Sequence, residues 1–333
     1  MFAEFIRRSS LVVAVLILGC GMAAAEDHPP VPAERVPLAA QSLLQGVARA
    51  GQSLVAIGEH GIILISHDDG QSWTQQQSPT DVLLTAASFA DDRHGLVVGH
   101  DGTILRTADG GQQWQLVQRD LDAGPLLTVA LAADGQHGVA GGAYGLLLVT
   151  ADGGATWRKA KVTDDTADED ADGEGSDAHL YAAALPAPDR WVVVGEAGRI
   201  ITSRDQGATW QVVKAPYNGS YFGVLAKSPD DWLIFGLEGK MLETADAGAT
   251  WQPIETGQSS GLTSVGQLND GRLVAVGLNG TILVEDQPHG HFLLRTLKTP
   301  TALTGVLPID GVAVLTGERG ASLLDATTLR ATP

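Results

Sequence analysis

Beyond residue 20 this 333-residue chain has no cysteine, aromatic residues make up only 5% of it, and 21 basic residues face 39 acidic ones. Each shortage excludes something. With Cys20 as its single cysteine the chain can form no intramolecular disulfide, so packing must hold the fold. A formal net charge of −18 argues against nucleic acid as a partner, because such partners are met by clustered lysine and arginine. After the first 25 residues no apolar run approaches the roughly 20 residues of a transmembrane helix, so no direct membrane insertion is expected. No motif requires a cofactor. What remains, at 44% apolar residues, is enough to bury a substantial core.

Residues 1–25 place Arg7 and Arg8 before an apolar run from Leu11 to Leu18 and end in Ala23-Ala24-Ala25, which reads as a secretory signal cut after Ala25. Ile17-Leu18-Gly19-Cys20 offers a competing lipoprotein-type box that would leave Cys20 acylated. Both readings export the protein, to the periplasm or a similar compartment. Cleavage removes Arg7, Arg8 and Glu4, leaving 19 basic against 38 acidic residues. Residues 26–40 then form an N-terminal segment and 41–333 the folded body.

That body repeats itself. The pattern Ser/Thr-x-Asp-x-Gly-x-x-Trp occurs five times, as SHDDGQSW (66–73), TADGGQQW (107–114), TADGGATW (150–157), SRDQGATW (203–210) and TADAGATW (244–251). A second landmark, Gly-x-x-Gly, starts at 58, 99, 142, 195, 236, 277 and 317, with intervals of 41, 43, 53, 41, 41 and 40. Each unit holds four short apolar runs separated by turn residues, and the pairs Asp101-Gly102 and Asn279-Gly280 are hairpin signals. Four strands in about 40 residues, repeated seven times, predict an all-β seven-bladed β-propeller with four-stranded blades. The inner strands should begin near Leu43, Leu83, Leu126, Leu180, Tyr221, Leu262 and Leu303, and residues 33–40 are the candidate strand for closing the ring.

The five boxes read as a folding device. Asp68, Asp109, Asp152, Asp205 and Asp246 accept turn amides, Gly70, Gly111, Gly154, Gly207 and Gly248 take up a strained turn, and Trp73, Trp114, Trp157, Trp210 and Trp251 supply apolar plates. In the sixth unit VEDQPHGHF stands in place of a box, and its His289-Gly-His291 pair has no third metal ligand to name.

In a propeller the glycine turns and the connections between blades share one face and the boxes occupy the other. The turn face is the less repetitive, gathering Glu59, His60, His100, Asp101, Tyr144, Glu196, Glu238 and Arg319. The connection APYNGSYF (215–222) adds Tyr217, Asn218, Tyr221 and Phe222. Variation on a rigid scaffold and an aromatic patch both suit a protein interface. The acidic run at 163–177 explains the long third interval. Its Asp168-x-Asp170-x-Asp172-Gly173 resembles the start of a calcium loop, but His179 stands where the bidentate glutamate should be, and a solvated acidic loop is the plainer reading.

Units such as LLTAASFADDRHGLVVGHDGTILRTADGGQQW resemble the bacterial neuraminidase repeat, or Asp-box, superfamily. Within it they resemble the photosystem II assembly and stability factors of plants and cyanobacteria. The resemblance implies a non-enzymatic assembly or accessory scaffold that binds a membrane protein complex. In non-photosynthetic bacteria, similar propellers imply an RND-type exporter as that partner. The family's basic surface patch has no counterpart here. A sialidase-like glycosidase and a calcium or small-ligand module are the alternatives; the early Phe/Tyr-Arg-x-Pro motif of sialidases is missing, and fold alone confers no activity.

Overall fold

The computed structural model describes residues 29–163, 177–213, 216–297 and 299–329. The first blade is built from β1 (Leu44–Ala50), β2 (Ser53–Gly58), β3 (Ile63–Ser66) and β4 (Thr74–Gln76), paired in that order. Six further sheets follow, with inner strands Leu84–Phe89, Leu126–Leu131, Leu180–Ala187, Tyr221–Ala226, Leu262–Gln267 and Leu303–Ile309. The chain is a seven-bladed β-propeller.

Two blades depart from four strands. Val162–Thr163 adds a fifth, parallel strand to the outer edge of the fourth blade, so the acidic run starts from that edge. The seventh blade has three strands and is followed by a short helix, Ala326–Leu329, whose Leu329 is buried. Residues 33–40, the candidate closing strand, form no strand. Ala33 donates its amide to the Ser78 carbonyl (3.1 Å), and the Gln75 and Gln77 side chains bind the carbonyls of Glu34 and Ala33 (2.8 and 3.0 Å). The segment therefore lies along the outer edge of the first blade. Pro32 and Pro37 remove amides that a ladder would need.

The middle strands show why the blades stack. Gly95–Gly99, Trp232–Gly236 and Leu273–Gly277 are buried at every position, as strands covered on both faces must be. At the first interface Val55, Ile57, Ile63 and Ile65 meet Leu84, Val97, Leu105 and Trp114. Equivalent cores fill the next five interfaces. The ring closes where the Thr304 hydroxyl donates to the Leu44 carbonyl (2.7 Å) and Ala321 donates its amide to Ala40 (2.9 Å).

Each of the five boxes makes one network. The Ser66, Thr107, Thr150, Ser203 or Thr244 hydroxyl donates to the box aspartate and accepts the box glycine amide at 2.8 to 3.0 Å. The aspartate also accepts the amide four residues on, at 2.7 to 3.0 Å. In four boxes the tryptophan indole N–H donates to the glycine carbonyl at 2.8 to 3.2 Å; the Trp251 indole has no partner. In four of the boxes, at Gly70, Gly111, Gly154 and Gly207, the glycine also abuts the preceding blade. A Cβ on Gly111 would lie 3.3 Å from Val55, and one on Gly70 would lie 2.7 Å from Val314 of the seventh blade.

Two expectations follow. Trp210 is wholly buried and Trp114 nearly so, whereas Trp157 is half-exposed. Trp210→Ala and Trp114→Ala should each cost about 3–5 kcal/mol and Trp157→Ala clearly less, read from denaturant midpoints; equal losses would mean that burial does not set the cost. Hydroxyls of Ser72, Thr156 and Thr250 donate to Asp68, Asp152 and Asp246, holding these carboxyls at about 2 instead of the ordinary 3.8. A depressed folded-state pKa stabilises above the unfolded value and stops doing so as pH falls through the folded one. The melting temperature should therefore fall between pH 4 and pH 2, less steeply in an Asp152→Asn/Asp246→Asn variant. Parallel profiles for parent and variant would count against the boxes as the acid-sensitive element.

Candidate functional site

The two faces of the ring are tied differently. On one, the second glycine of three turns bonds the connection entering the next blade, Gly61 to Val82, Gly102 to Gly124 and Gly198 to Gly219 (2.8 to 3.0 Å). On the other, box amides bond the loop between the first two strands, as Gly110 to Arg93 and Gly153 to Gln136 (2.9 and 2.8 Å).

The paired glycines of the turns serve different ends. The first is extended, and its missing side chain admits a backbone carbonyl: a Cβ would lie 2.1 Å from the Leu43 oxygen at Gly58 and 2.0 Å from the His179 oxygen at Gly195. The second has positive φ, and so does the residue before it in six turns: His60, Asp101, Tyr144, Ala197, Glu238 and Asn279. Only Asp and Asn adopt that conformation readily, so the other four are held there by the turn.

The structure separates the expected site residues into groups. Glu59 and Glu196 each accept the amide of the residue entering their own inner strand, Leu43 (3.0 Å) and His179 (3.2 Å), so they brace the turn as well as facing solvent. Glu318 does the same for Ala302, at 3.2 Å. His60, His100 and Arg319 are exposed on the turns, and Asp101 pairs with Arg119 at 3.1 Å. Tyr144 is 70% exposed. Glu238 accepts the Tyr217 hydroxyl (3.1 Å), Lys240 lies 5.9 Å from the centre of the Tyr217 ring, and Asn218 is exposed.

Tyr221 is core, not surface. It is fully buried as the first residue of its inner strand, in the place of Leu84 or Leu180, and its hydroxyl donates to the Tyr217 carbonyl at 3.2 Å. Phe222, the next residue, is half-exposed.

That second position differs from blade to blade. All seven inner-strand ladders shift register there, leaving the second residue of the strand outside the pairing. Such bulges re-aim side chains. Thr85, Thr263 and Thr304 use this position to donate across to the next blade's carbonyl at 2.6 to 2.7 Å. The third, fourth and fifth blades carry Leu127, Tyr181 and Phe222 there instead. Tyr181 and Phe222 meet edge to face with ring centres 5.7 Å apart, Tyr181 meets His179 at 6.2 Å, and His179 meets Tyr144 at 5.3 Å. His179 and Tyr181 escape notice in the sequence because they belong to no motif. Aligning the residue after each inner-strand start across the seven units exposes Tyr181.

On the box face the sixth unit opens a cleft of ≈ 300 Å³. Glu285 stands where the box hydroxyl belongs, is buried, and accepts the Leu273 amide at 2.8 Å; burial raises its pKa. Lys227 bridges Asp231 (3.0 Å) and Glu243 at one wall, with His289 and His291 on the lining. Among the described residues no three His, Cys, Asp or Glu side chains are grouped to hold a metal. Asp168, Asp170 and Asp172 lie outside the described residues.

The model of the photosynthesis system II assembly factor YCF48 family matches residues 65–165 and 112–292. The chain is 35% identical over 60 residues to the photosystem II stability/assembly factor HCF136 of Arabidopsis thaliana, covering 17% of this chain and 15% of that protein. It is 40% identical over 47 residues to the photosystem II assembly protein Ycf48 of Thermosynechococcus vestitus, covering 14% of each. The aligned stretches thus span about a seventh of those relatives. In fold it is similar to YCF48 bound to a D1 peptide (TM-score 0.66, 16% identity, 90% of this chain and 97% of that one). It is also similar to YCF48 of Cyanidioschyzon merolae (0.69, 16%, 88% and 98%).

Burial pushes the Tyr221 hydroxyl up to about 12. Alkaline titration at the tyrosinate absorbance band should therefore show a late phase that Tyr221→Phe removes. An unchanged late phase in that variant would place the buried hydroxyl elsewhere.

Proposed function

The chain belongs to the photosynthesis system II assembly factor YCF48 family, and on that premise we propose that it is an exported, non-catalytic assembly factor whose glycine-turn face binds a polypeptide of a membrane protein complex. The observation that carries the proposal is the asymmetry of the ring. Five boxes repeat one network on one face, while the turns opposite present different side chains in successive blades. A relative of the same fold is bound to a D1 peptide, which supports a protein segment as the ligand. The relatives above are assembly factors rather than enzymes, and nothing in the site favours a sialidase-like reading. In its finer form the proposal takes an RND-type transport complex as the partner and the periplasm as the compartment, with the signal cut after Ala25 or the chain acylated at Cys20. These parts rest on the resemblance and on residues 1–25.

Tyr144 and Glu238 are exposed, so changing them should spare the fold. Tyr144→Ala/Glu238→Lys should lose a co-purifying membrane partner about tenfold or more while melting near the parent, as hot-spot aromatics do. Gln71→Ala on the box face should keep it. Loss only in the Gln71 variant would move the interface to the other face, and mass measurement of the exported chain decides between Glu26 and acylated Cys20 as its first residue.

A further inference from the structure

The turn face is not uniform. Across the third to sixth blades it carries a run of apolar or aromatic side chains, Tyr144, His179, Tyr181, Phe222, Leu237 and Leu278, with Glu196, Glu238 and Asn279 among them. Tyr144 is 70% exposed, Leu237 40% and Leu278 41%. The four rings form a chain, and Phe222 and Leu278 are continuous, since a Cβ placed on Gly261 would touch both at 3.3 and 3.4 Å. Across the seventh, first and second blades the same turn positions carry Glu318, Arg319, Glu59, His60, His100 and Asp101. The apolar half is therefore an arc on one side of the face.

The spacing of the arc is informative. Successive ring centres lie 5.3, 6.2 and 5.7 Å apart. Alternate side chains on one side of an extended strand are about 6.6 Å apart, so an extended segment can set one side chain at each rung. Charge narrows the choice further. Glu196 lies beside His179, with 3.8 Å between Oε2 and Nδ1, and Glu238 is exposed beside Leu237. Of the cations nearby, Lys240 is placed over the Tyr217 ring and Arg199 is half-buried with partners of its own. The chain as a whole carries −18.

We propose that this arc is the docking groove for an extended segment of the partner, one with aromatic or aliphatic side chains at alternate positions and a lysine or arginine that meets Glu196 or Glu238. The inference rests on the turn face being the binding face and specifies which part of it binds and what it recognises. Apolar anchors supply the contact area, and the carboxylates select the sign of the neighbouring charge. In the third, fourth and fifth blades, three of the four that form the arc, large side chains stand where the second, sixth and seventh blades carry threonine bridges.

The test is site-specific photocrosslinking in the intact protein, with p-benzoylphenylalanine at Tyr144, Leu237 or Leu278 on the arc, at His60 or His100 on the charged half, and at Gln71 on the box face. Crosslinks from the arc should map to one partner segment of alternating apolar residues with a lysine or arginine. A synthetic peptide of that segment should bind the purified chain and lose affinity at least tenfold with Phe222→Ala. It should weaken likewise with Leu278→Ser, an exposed change that keeps the test readable if Phe222→Ala unfolds, and when the peptide's basic residue becomes glutamate. Crosslinks from His60 or His100 alone, a mapped segment that is acidic, or unchanged affinity in Leu278→Ser would overturn the arc while leaving the turn face as the binding face. Crosslinks from Gln71 alone would overturn both.

Discussion

The hydrogen-bond network of the box is the interaction on which the ring depends. One hydroxyl and one carboxylate tie the hairpin between the third and fourth strands, and the turn they enforce brings a glycine against the blade before it. Local and global order are coupled in this way: a Cβ would meet Leu96 of the second blade at Gly154 and Val149 of the third at Gly207, 2.4 and 3.2 Å away. With no disulfide available, the stacking of blades must come from these close approaches and from the apolar cores behind them. The seventh interface shows the same economy. Gly70 rests on Val314 and Leu323 across the point where the chain's first and last blades meet.

The architecture was legible because the signal is repetitive and local. Strand starts at 44, 84, 126, 180, 221, 262 and 303 follow directly from the spacing of the glycine turns. What the repeat cannot report is where it is interrupted. The segment 33–40 sits at the right distance in sequence for a closing strand, yet Pro37 within it, Pro32 just before it and the glutamine side chains of the first blade's outer edge hold it elsewhere. The extra strand at Val162–Thr163 was equally hidden, being two residues of an otherwise acidic connection.

The candidate site was legible by position and only partly by residue. Tyr144, Glu238 and Phe222 stand on the turn face as the spacing implies, the first two because turn geometry forces them outward and Phe222 because its strand bulges there. Tyr221 reads as half of an aromatic pair, but in-strand alternation decides its fate: it is first in its inner strand and buried, while Phe222 beside it is not. His179 and Tyr181 carry no motif at all. They become visible only when a bulge in each inner strand places second-position residues of adjacent blades side by side, a relation across 41 residues of sequence.

The sixth blade shows what the boxes otherwise prevent. There Glu285 replaces the hydroxyl, Gln287 the aspartate and Phe292 the tryptophan. The hairpin still forms, but a cleft lined by Lys227, Glu243 and two histidines opens beside the fifth blade. A box is therefore dispensable for the strands and needed for the fit between blades. Sequence change on the box face is restrained by that fit, five times over. On the turn face the restraint common to every blade falls on the two glycines, with Glu59, Glu196 and Glu318 bracing three of the turns, which leaves most residues between the glycines, and the second position of each inner strand, free to differ. A ring built this way concentrates its individuality on one side, and that side is where a partner can be told apart from other proteins.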